Sequence, residues 1–189
     1  MTKTATDFLL SRRSVPAKTL VHPAPDRATV ERFLEAGARV PDHKMLEPWR
    51  FVVLEDAALN RLADAIHARA LALGLGEEKA EKGRNSFRTA PLSVAVVASP
   101  VETDAIPEVE QTLSAGAACL SVLNAALAEG WGANWITGWM AFDRDFLEQE
   151  LGLGPHEYVA GFIHMGTVSV RPGERKRPDL SALTTWVDA

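Results

Sequence analysis

The longest predicted helix, from about Glu108 to Glu129, constrains the fold of this chain more than any other segment. Gly130 follows it in the position where glycine commonly ends a helix. Inside it lies a run of small residues, Ser114-Ala-Gly-Ala-Ala118. Such a run allows close helix packing, either against the same helix of a second copy or against a neighbour in the same chain. The sequence therefore predicts a long helix in close contact with another element.

The rest of the chain predicts short strands separated by helices. Asp26 and Asp143 are the predicted N-caps of two of these helices. Besides the long helix, helices are expected from the start to residue 13, at 26–38, 57–73, 77–85 and 143–150; strands are expected at 51–54, 92–97, 131–137 and 158–167. This order predicts an α+β fold with a small mixed sheet flanked by helices. A tail rich in proline and basic residues, 168–189, is expected to be extended.

The composition indicates one globular domain and argues against nucleic acid as a partner. The 189 residues are enough for a single core, so residues 1–189 are expected to form one domain. The formal net charge is -5 and the pI is about 5.6. Nucleic-acid surfaces usually need a net basic face, which this balance does not favour.

Cysteine content and hydropathy favour the cytoplasm. Cys119 is the single cysteine, which excludes an internal disulfide and a cysteine-based metal cage; it is expected to be a small buried hydrophobic residue and not a nucleophile. The first 13 residues lack the apolar core of a signal peptide. No run approaches the roughly 18 apolar residues that span a membrane, so no membrane partner is expected.

Arg12-Arg13-Ser14 forms a candidate anion site at the end of the first predicted helix. Arginine binds phosphate through two parallel hydrogen bonds, and a hydroxyl group adds another donor. The alternative is a solvated basic helix end that satisfies the last carbonyls of its own helix. The tripeptide alone favours that alternative.

A second basic group follows the helix at 26–38. Arg39-Val-Pro-Asp-His-Lys44 concentrates Arg39, His43 and Lys44 on one proline turn before a strand. Their mutual repulsion favours an anion nearby, whereas the alternative is an ordinary connection in which Asp42 and Glu47 neutralise the cations.

Three tryptophans and three glycines occur between Gly130 and Trp139. Glycine allows a flat ligand to approach the backbone closely, and tryptophan supplies a broad apolar wall. The alternative is a core strand with a tight end, and the two interpretations have equal weight.

Several other chemistries are excluded by their missing motifs. The chain lacks the G-x-G-x-x-G dinucleotide loop, the Walker loop, G-x-S-x-G and H-E-x-x-H. Its five histidines show no metal-ligand spacing, so no metal site and no catalytic side chain is predicted.

Taken together, these segments resemble the nitroreductase family, especially its compact subfamily of NAD(P)H nitroreductases. The resemblance is carried in sequence order by Arg12-Arg13-Ser14, Ala36 to Lys44, Pro48-Trp49-Arg-Phe51, Gly130-Trp-Gly132 with Trp135-Ile-Thr-Gly138, and Gly161 to Thr167.

The resemblance implies a nitroreductase-like fold and a homodimer with FMN at the subunit interface. Arg12, Arg13 and Ser14 would bind the phosphate and ribityl chain or the pyrimidine edge. Arg39 and His43 would complete the site, with His43 coming from the partner subunit. The residues expected along the isoalloxazine ring are Trp135, Ile136 and Thr137, with a backbone N–H near Gly138 directed at N5. The subfamily pattern also implies a nicotinamide contact at Ala125, Ala126, Leu127, Ala128, Glu129 and Gly130.

The implied activity is oxidoreduction by a ping-pong mechanism. NADH or NADPH would pass a hydride to the flavin, and a small-molecule acceptor such as a nitroaromatic or a quinone would then take its electrons. Alternatives are a relative that uses FMN for dehydrogenation, dehalogenation or flavin breakdown, and a flavin-binding protein without turnover.

The chain departs from the larger family members at two places. Pro16 stands near the position of their usual lysine, and Met45-Leu46-Glu47 replaces their asparagine-containing stretch. The charge that stabilises reduced flavin is therefore expected from Arg39 or Arg12. The basic residues of the tail either add a phosphate contact or are solvated: Arg171, Arg175, Lys176 and Arg177.

Overall fold

Short polar side chains cap the N-termini of several of the shorter helices. The computed structural model describes residues 4–188. Thr4 and Asp7 form a reciprocal capping box on the first helix, and Asp26 and Asp143 cap two later ones through the backbone N–H groups of Thr29 and Phe146. Both predicted aspartate caps are therefore confirmed.

The described residues form seven α-helices and five strands. The helices are α1 (Ala5–Ser11), α2 (Arg27–Gly37), α3 (Asp56–Ala72), α4 (Glu77–Arg88), α5 (Glu108–Ala128), α6 (Arg144–Leu151) and α7 (Leu180–Leu183). The strands are β1 (Leu20–Val21), β2 (Trp49–Leu54), β3 (Leu92–Ala98), β4 (Gly132–Ile136) and β5 (Tyr158–Val168). The sequence does not predict β1 or α7, because segments of two and four residues are too short to show a periodicity.

The strands form one sheet organised around β5. Its order is β1-β5-β3-β2, and β4 also pairs with β5. Each pairing among the described strands is antiparallel. This arrangement, with helices on both sides, confirms the predicted α+β fold with a small sheet flanked by helices. The sheet was predicted to be mixed, whereas its described pairings are all antiparallel.

Helices cover both faces of the sheet, so the protein has two apolar cores. One core lies between the sheet and α3, α4 and α6, and the other lies between the sheet and α2 and α5. All seven residues of β3 are buried, since both of its faces are covered. Cys119 lies in the second core, where burial raises its pKa to about 12.

Helix α5 packs across the sheet as a core helix with one uncovered stripe. It is long and apolar enough to cross a membrane by length and composition alone, contrary to the expectation that no segment reaches this level. It nevertheless contacts α2, β3, β4 and β5, and 44% of its most apolar stretch is buried. The uncovered stripe contains Val109, Leu113 and Leu120.

The tail leaves the sheet after Val168, where β5 ends, one residue later than predicted. It is extended apart from the single helical turn of α7. Most of its side chains are exposed, including Leu180, Leu183 and Trp186. The last predicted tail residue, 189, lies outside the described residues.

Candidate functional site

Two long-range hydrogen bonds place Arg12 to Ser14 beside β4. Helix α1 ends at Ser11, and the backbone continues from Arg12 in an extended conformation. The N–H of Val15 donates to the carbonyl of Ala133 at 2.9 Å, and Nδ2 of Asn134 donates to the carbonyl of Val15 at 2.8 Å. These bonds hold the basic tripeptide next to the end of the strand.

A cleft of about 460 Å³ lies at this junction. It combines a polar, cationic end with an apolar wall supplied by α5 and β4. Its lining residues are Arg12, Ser14, Leu120, Leu123, Trp135, Ile136 and Thr137. The structure therefore brings together two segments that the sequence identified separately, the basic tripeptide and the tryptophan-rich segment.

Three arginines, Arg12, Arg13 and Arg177, lie near one end of the cleft and give it a net positive charge. Nη2 of Arg12 donates to Oγ of Ser14 at 2.9 Å, while Nε of Arg12 is buried and has no partner among the described residues. Burial lowers the pKa of Arg12, and the charges of Arg177 and Arg13 lower it further. A lowered pKa under these conditions indicates a desolvated guanidinium beside like charges, which is a good environment for an anion.

The tail supplies part of this charge. Arg13 donates to the carbonyl of Gly173 and lies 3.5 Å from Glu174, which also pairs with Arg177 at 3.0 Å. The carboxylate of Glu174 thus pairs with two of the three guanidinium groups, those of Arg13 and Arg177. The backbone N–H of Arg12 caps α1 by donating to the carbonyl of Phe8 at 2.8 Å. The described side-chain contacts of Arg12 and Arg13 reach Ser14 and the tail, and not the last carbonyls of α1.

Glycines allow Trp135 to lie flat at the mouth of the cleft. Its Nε1 donates to the carbonyl of Ala160 at 3.2 Å, and its indole covers Gly161, where a Cβ atom would collide with the ring. Gly138 has φ 73° and ψ -179°, a conformation available essentially to glycine alone. Trp135 thus packs on its own chain through one edge, while 37% of the residue stays exposed at the cleft.

His43 and Arg39 lie elsewhere in the same chain. Nδ1 of His43 is 2.8 Å from Oε2 of Glu110 on α5, and Arg39 is exposed just beyond the end of α2. Glu110 precedes the cleft residue Leu120 by ten positions, which corresponds to about 15 Å along a helix. One chain therefore holds two separate clusters, and Asp42 and Glu47 form no ion pair with the cations among the described contacts.

The residues predicted to contact the nicotinamide lie at the carbonyl end of α5. Ala126 is buried, Ala128 and Gly130 are exposed, and Glu129 pairs with Arg32 at 2.7 Å. The described lining of the cleft includes none of the residues from 125 to 130. The predicted contact stays a prediction.

No sequence motif marks the two leucines of α5 that line the cleft. Leu120 and Leu123 lie outside every motif that carries the resemblance. A detectable pattern was present, because Leu113 and Leu120 are seven residues apart and therefore share one face of the helix.

Three possible metal ligands also converge, which the spacing of the histidines did not predict. His67 on α3 lies 3.0 Å from Glu77 and 3.3 Å from Glu81 on α4. Arg84 already pairs with the same oxygen of Glu81 at 2.8 Å. This arrangement is accounted for as an ion-pair network.

A sequence model described as the nitroreductase family matches residues 9–167 of the chain. The Escherichia coli strain K12 protein named "Putative NAD(P)H nitroreductase YdjA" is 34% identical over 167 residues, which cover 88% of this chain and 90% of that protein. The Haemophilus influenzae protein named "Putative NAD(P)H nitroreductase" is 37% identical over 165 residues, which cover 86% of this chain and 88% of that protein.

Solved structures have the same fold. The nitroreductase-like family protein from Bacillus cereus has a TM-score of 0.84 and 19% identity, covering 100% of this chain and 99% of that one. The nitroreductase with bound FMN from Bacteroides fragilis has a TM-score of 0.76 and 21% identity, covering 99% of this chain and 100% of that one.

Proposed function

The chain belongs to the nitroreductase family, and we propose that it is an FMN-dependent oxidoreductase that uses NADH or NADPH to reduce flat acceptors such as nitroaromatics or quinones. One observation carries the proposal: Nε of Arg12 is buried without a partner among the described residues. A buried donor of this kind is costly unless it is satisfied. The phosphate of FMN would satisfy it.

The cleft has the two kinds of surface that FMN requires. Arg12, Arg13 and Ser14 would hold the phosphate and ribityl chain, and Arg177 would add a further positive charge. The residues proposed to lie along the flat ring are Trp135, Ile136, Thr137 and Gly138. When bound, FMN supplies hydride acceptance from the nicotinamide and electron transfer to the acceptor. The protein binds and orients it, so no protein acid, base or nucleophile is assigned.

A homodimer would complete the site through α5. Gly116 and Ala117 lie on its partly uncovered face between Leu113 and Leu120. If two copies of α5 cross antiparallel at Gly116–Ala117, Leu113 faces Leu120 of the partner subunit. The same symmetry brings Glu110 to the level of Leu123 of the partner subunit.

This crossing explains why the two basic clusters are apart in one chain. Glu110 holds His43 at 2.8 Å, so the crossing carries His43 toward the cleft of the other copy. Arg39 belongs to the same turn region and would approach with it. We therefore assign His43 and Arg39 to the flavin site of the partner subunit.

The remaining parts of the proposal concern the tail, the donor and the location. The apolar side chains of the tail are uncovered, and packing on the partner subunit would bury them. At residues 125–130 the carbonyl end of α5 and the charge of Glu129 disfavour a phosphate, so any donor contact there would involve an uncharged group. We expect a cytoplasmic location.

The test is anaerobic reduction of the purified protein reconstituted with FMN. We expect one FMN per chain, a yellow protein, and loss of flavin absorbance on addition of NADH or NADPH. Menadione or a nitroaromatic should then restore the absorbance. Failure to reconstitute the protein with FMN would contradict the proposal that it binds FMN at all.

Two further results would replace the proposal with another function. Absorbance that persists with both nicotinamides would indicate flavin binding without turnover. Reduction without reoxidation by either acceptor would instead favour a relative that uses FMN for dehydrogenation, dehalogenation or flavin breakdown.

A further inference from the structure

The turn between α2 and β2 has an unfavourable backbone. Lys44, Met45 and Glu47 have φ values of 60°, 54° and 49°, in the left-handed region that favours glycine. None of the three is glycine, so the sequence itself does not relieve this strain. Clusters of such residues persist only where the surrounding contacts hold them, and they are most common at functional sites.

Asp42 holds this turn. The N–H of Leu46 donates to its Oδ1 at 3.1 Å, and the N–H of Glu47 donates to its Oδ2 at 2.8 Å. Both carboxylate oxygens are thus engaged by the backbone, and neither makes an ion pair with a described cation. Among the described contacts Asp42 therefore binds the backbone of the turn and not its cations.

The turn is fixed at both ends and uncovered in the middle. The carbonyl of Pro41 accepts from Oγ of Ser114 at 2.7 Å, and the carbonyl of Pro48 accepts from the N–H of Ser99 at 2.8 Å. Between these points Met45 is 84% exposed. A rigid turn therefore projects from the surface beside the N-terminal half of α5.

The rigid turn presents two basic side chains. His43 is oriented by Glu110 through Nδ1, which leaves Nε2 free to meet a ligand. Lys44 forms no ion pair among the described residues. The turn therefore displays a basic surface that its own chain does not fully neutralise.

We propose that Asp42 is a positioning residue for the flavin site of the partner subunit: it locks the 42–47 turn so that His43 and Lys44 are preorganised for the anionic or pyrimidine edge of the flavin. This inference rests on the proposed function and on the antiparallel crossing of α5. Preorganisation increases affinity because less conformational freedom is lost on binding.

Subunit mixing tests whether Asp42 acts across the interface. Arg12→Ala and Asp42→Ala subunits with different tags are co-expressed, and the mixed dimer is isolated by two affinity steps. Each homodimer should bind FMN about 10-fold or more weakly at both sites. In the mixed dimer one site carries both substitutions and the other carries neither, so half of the sites should regain wild-type affinity.

The outcomes separate this inference from the proposed function. A wild-type protein without FMN binding overturns both. A wild-type dimer that binds FMN, combined with a mixed dimer that has no site of wild-type affinity, overturns only the action of Asp42 across the interface. Wild-type FMN affinity in the Asp42→Ala homodimer would also overturn the role of Asp42 and leave the proposed function intact.

A second pair of variants guards against simple misfolding. Asp42→Asn retains one acceptor oxygen and should lose less FMN affinity than Asp42→Ala. Adding Glu47→Gly to Asp42→Ala removes one strained side chain without removing a cation, and it should recover part of the affinity. No recovery, with circular dichroism like that of the wild type, would contradict the locking role.

Discussion

At the residue scale, Arg12 connects burial, charge and binding. Its guanidinium is partly buried, has one side-chain partner in Ser14, and lies near two like charges. An arginine kept only for stability would more commonly pair with a carboxylate. Because its Nε is unpaired, Arg12 is the cleft residue whose substitution best tests the proposed flavin site.

Arg12→Ala should weaken FMN binding by about 10-fold or more. The substitution removes a charged hydrogen bond of roughly 1.5–3 kcal/mol. The measurement is quenching of FMN fluorescence on titration with apoprotein. Arg27→Ala, which removes an exposed arginine whose described ion pair is with Glu31, is the matched control and should not change the affinity. Equal affinities in the two variants would remove Arg12 from the site.

His164 makes stability dependent on pH. It is fully buried, its two ring nitrogens have no described partner, and burial lowers its pKa from 6.5 to about 4. Above pH 6.5 the ring is neutral in both the folded and the unfolded state. Between about pH 6.5 and 4 only the unfolded state gains the proton, so the free energy of unfolding should fall by a few kcal/mol as the pH is lowered.

Urea unfolding at several pH values measures this effect. His164→Leu should flatten the decrease between pH 6.5 and 4, since it removes the buried titrating group. His156→Gln, at an exposed position, is the control for loss of a histidine elsewhere. An unchanged slope in His164→Leu would assign the acid sensitivity to other groups.

At the element scale, the start of α6 depends on one carboxylate with two functions. Asp143 accepts from the N–H of Phe146 at 2.9 Å and from Nε and Nη2 of Arg69 at 2.8 and 3.0 Å. It therefore caps α6 and ties it to α3. The pairing with Arg69 lowers the pKa of Asp143.

Asp143→Ala should lower the free energy of unfolding by about 2 kcal/mol, as the sum of a lost cap and a partly buried ion pair. Asp143→Asn keeps the cap and should lose about half as much. Asp26→Ala, which removes only the cap of α2, should cost less than Asp143→Ala. Urea midpoints at constant slope test this order, and an equal loss in all three variants would contradict it.

At the scale of the whole molecule, the uncovered stripe of α5 forms the proposed dimer interface. Leu113 is 68% exposed in the single chain, and it would face Leu120 of the partner subunit in the antiparallel crossing. Burial of this stripe would bring together the two basic clusters that one chain keeps apart.

Leu113→Asp should raise the dimer dissociation constant by about 100-fold or more, because each dimer would bury two unpaired carboxylates. Sedimentation velocity over a concentration series measures the change, and FMN affinity should fall with it. Leu71→Asp, on the exposed side of α3, is the control and should leave the dimer intact. A dimer unaffected by Leu113→Asp would place the interface elsewhere.

The sequence by itself determined the family and most of the helices and strands. The family resemblance is confirmed over residues 9–167. The predicted long helix agrees with α5 to within one residue, and the predicted strand at 92–97 lacks only Ala98. These features were predictable because caps and apolar periodicity act over a few neighbouring residues. The left-handed turn at Lys44 was not predictable, since no glycine marks it.

Only the tertiary structure decided how the cleft is assembled. Arg12 and Ile136 line one cleft because Val15 bonds to Ala133, and Arg177 comes near Arg12 because Arg13 holds the tail at Gly173 and Glu174. The same packing keeps His43 at Glu110, away from Arg12 in the same chain. Such contacts join residues far apart in sequence, and they depend on strand pairing and on the paths of the chain between elements. A local pattern of residue types determines neither the strand pairing nor these paths.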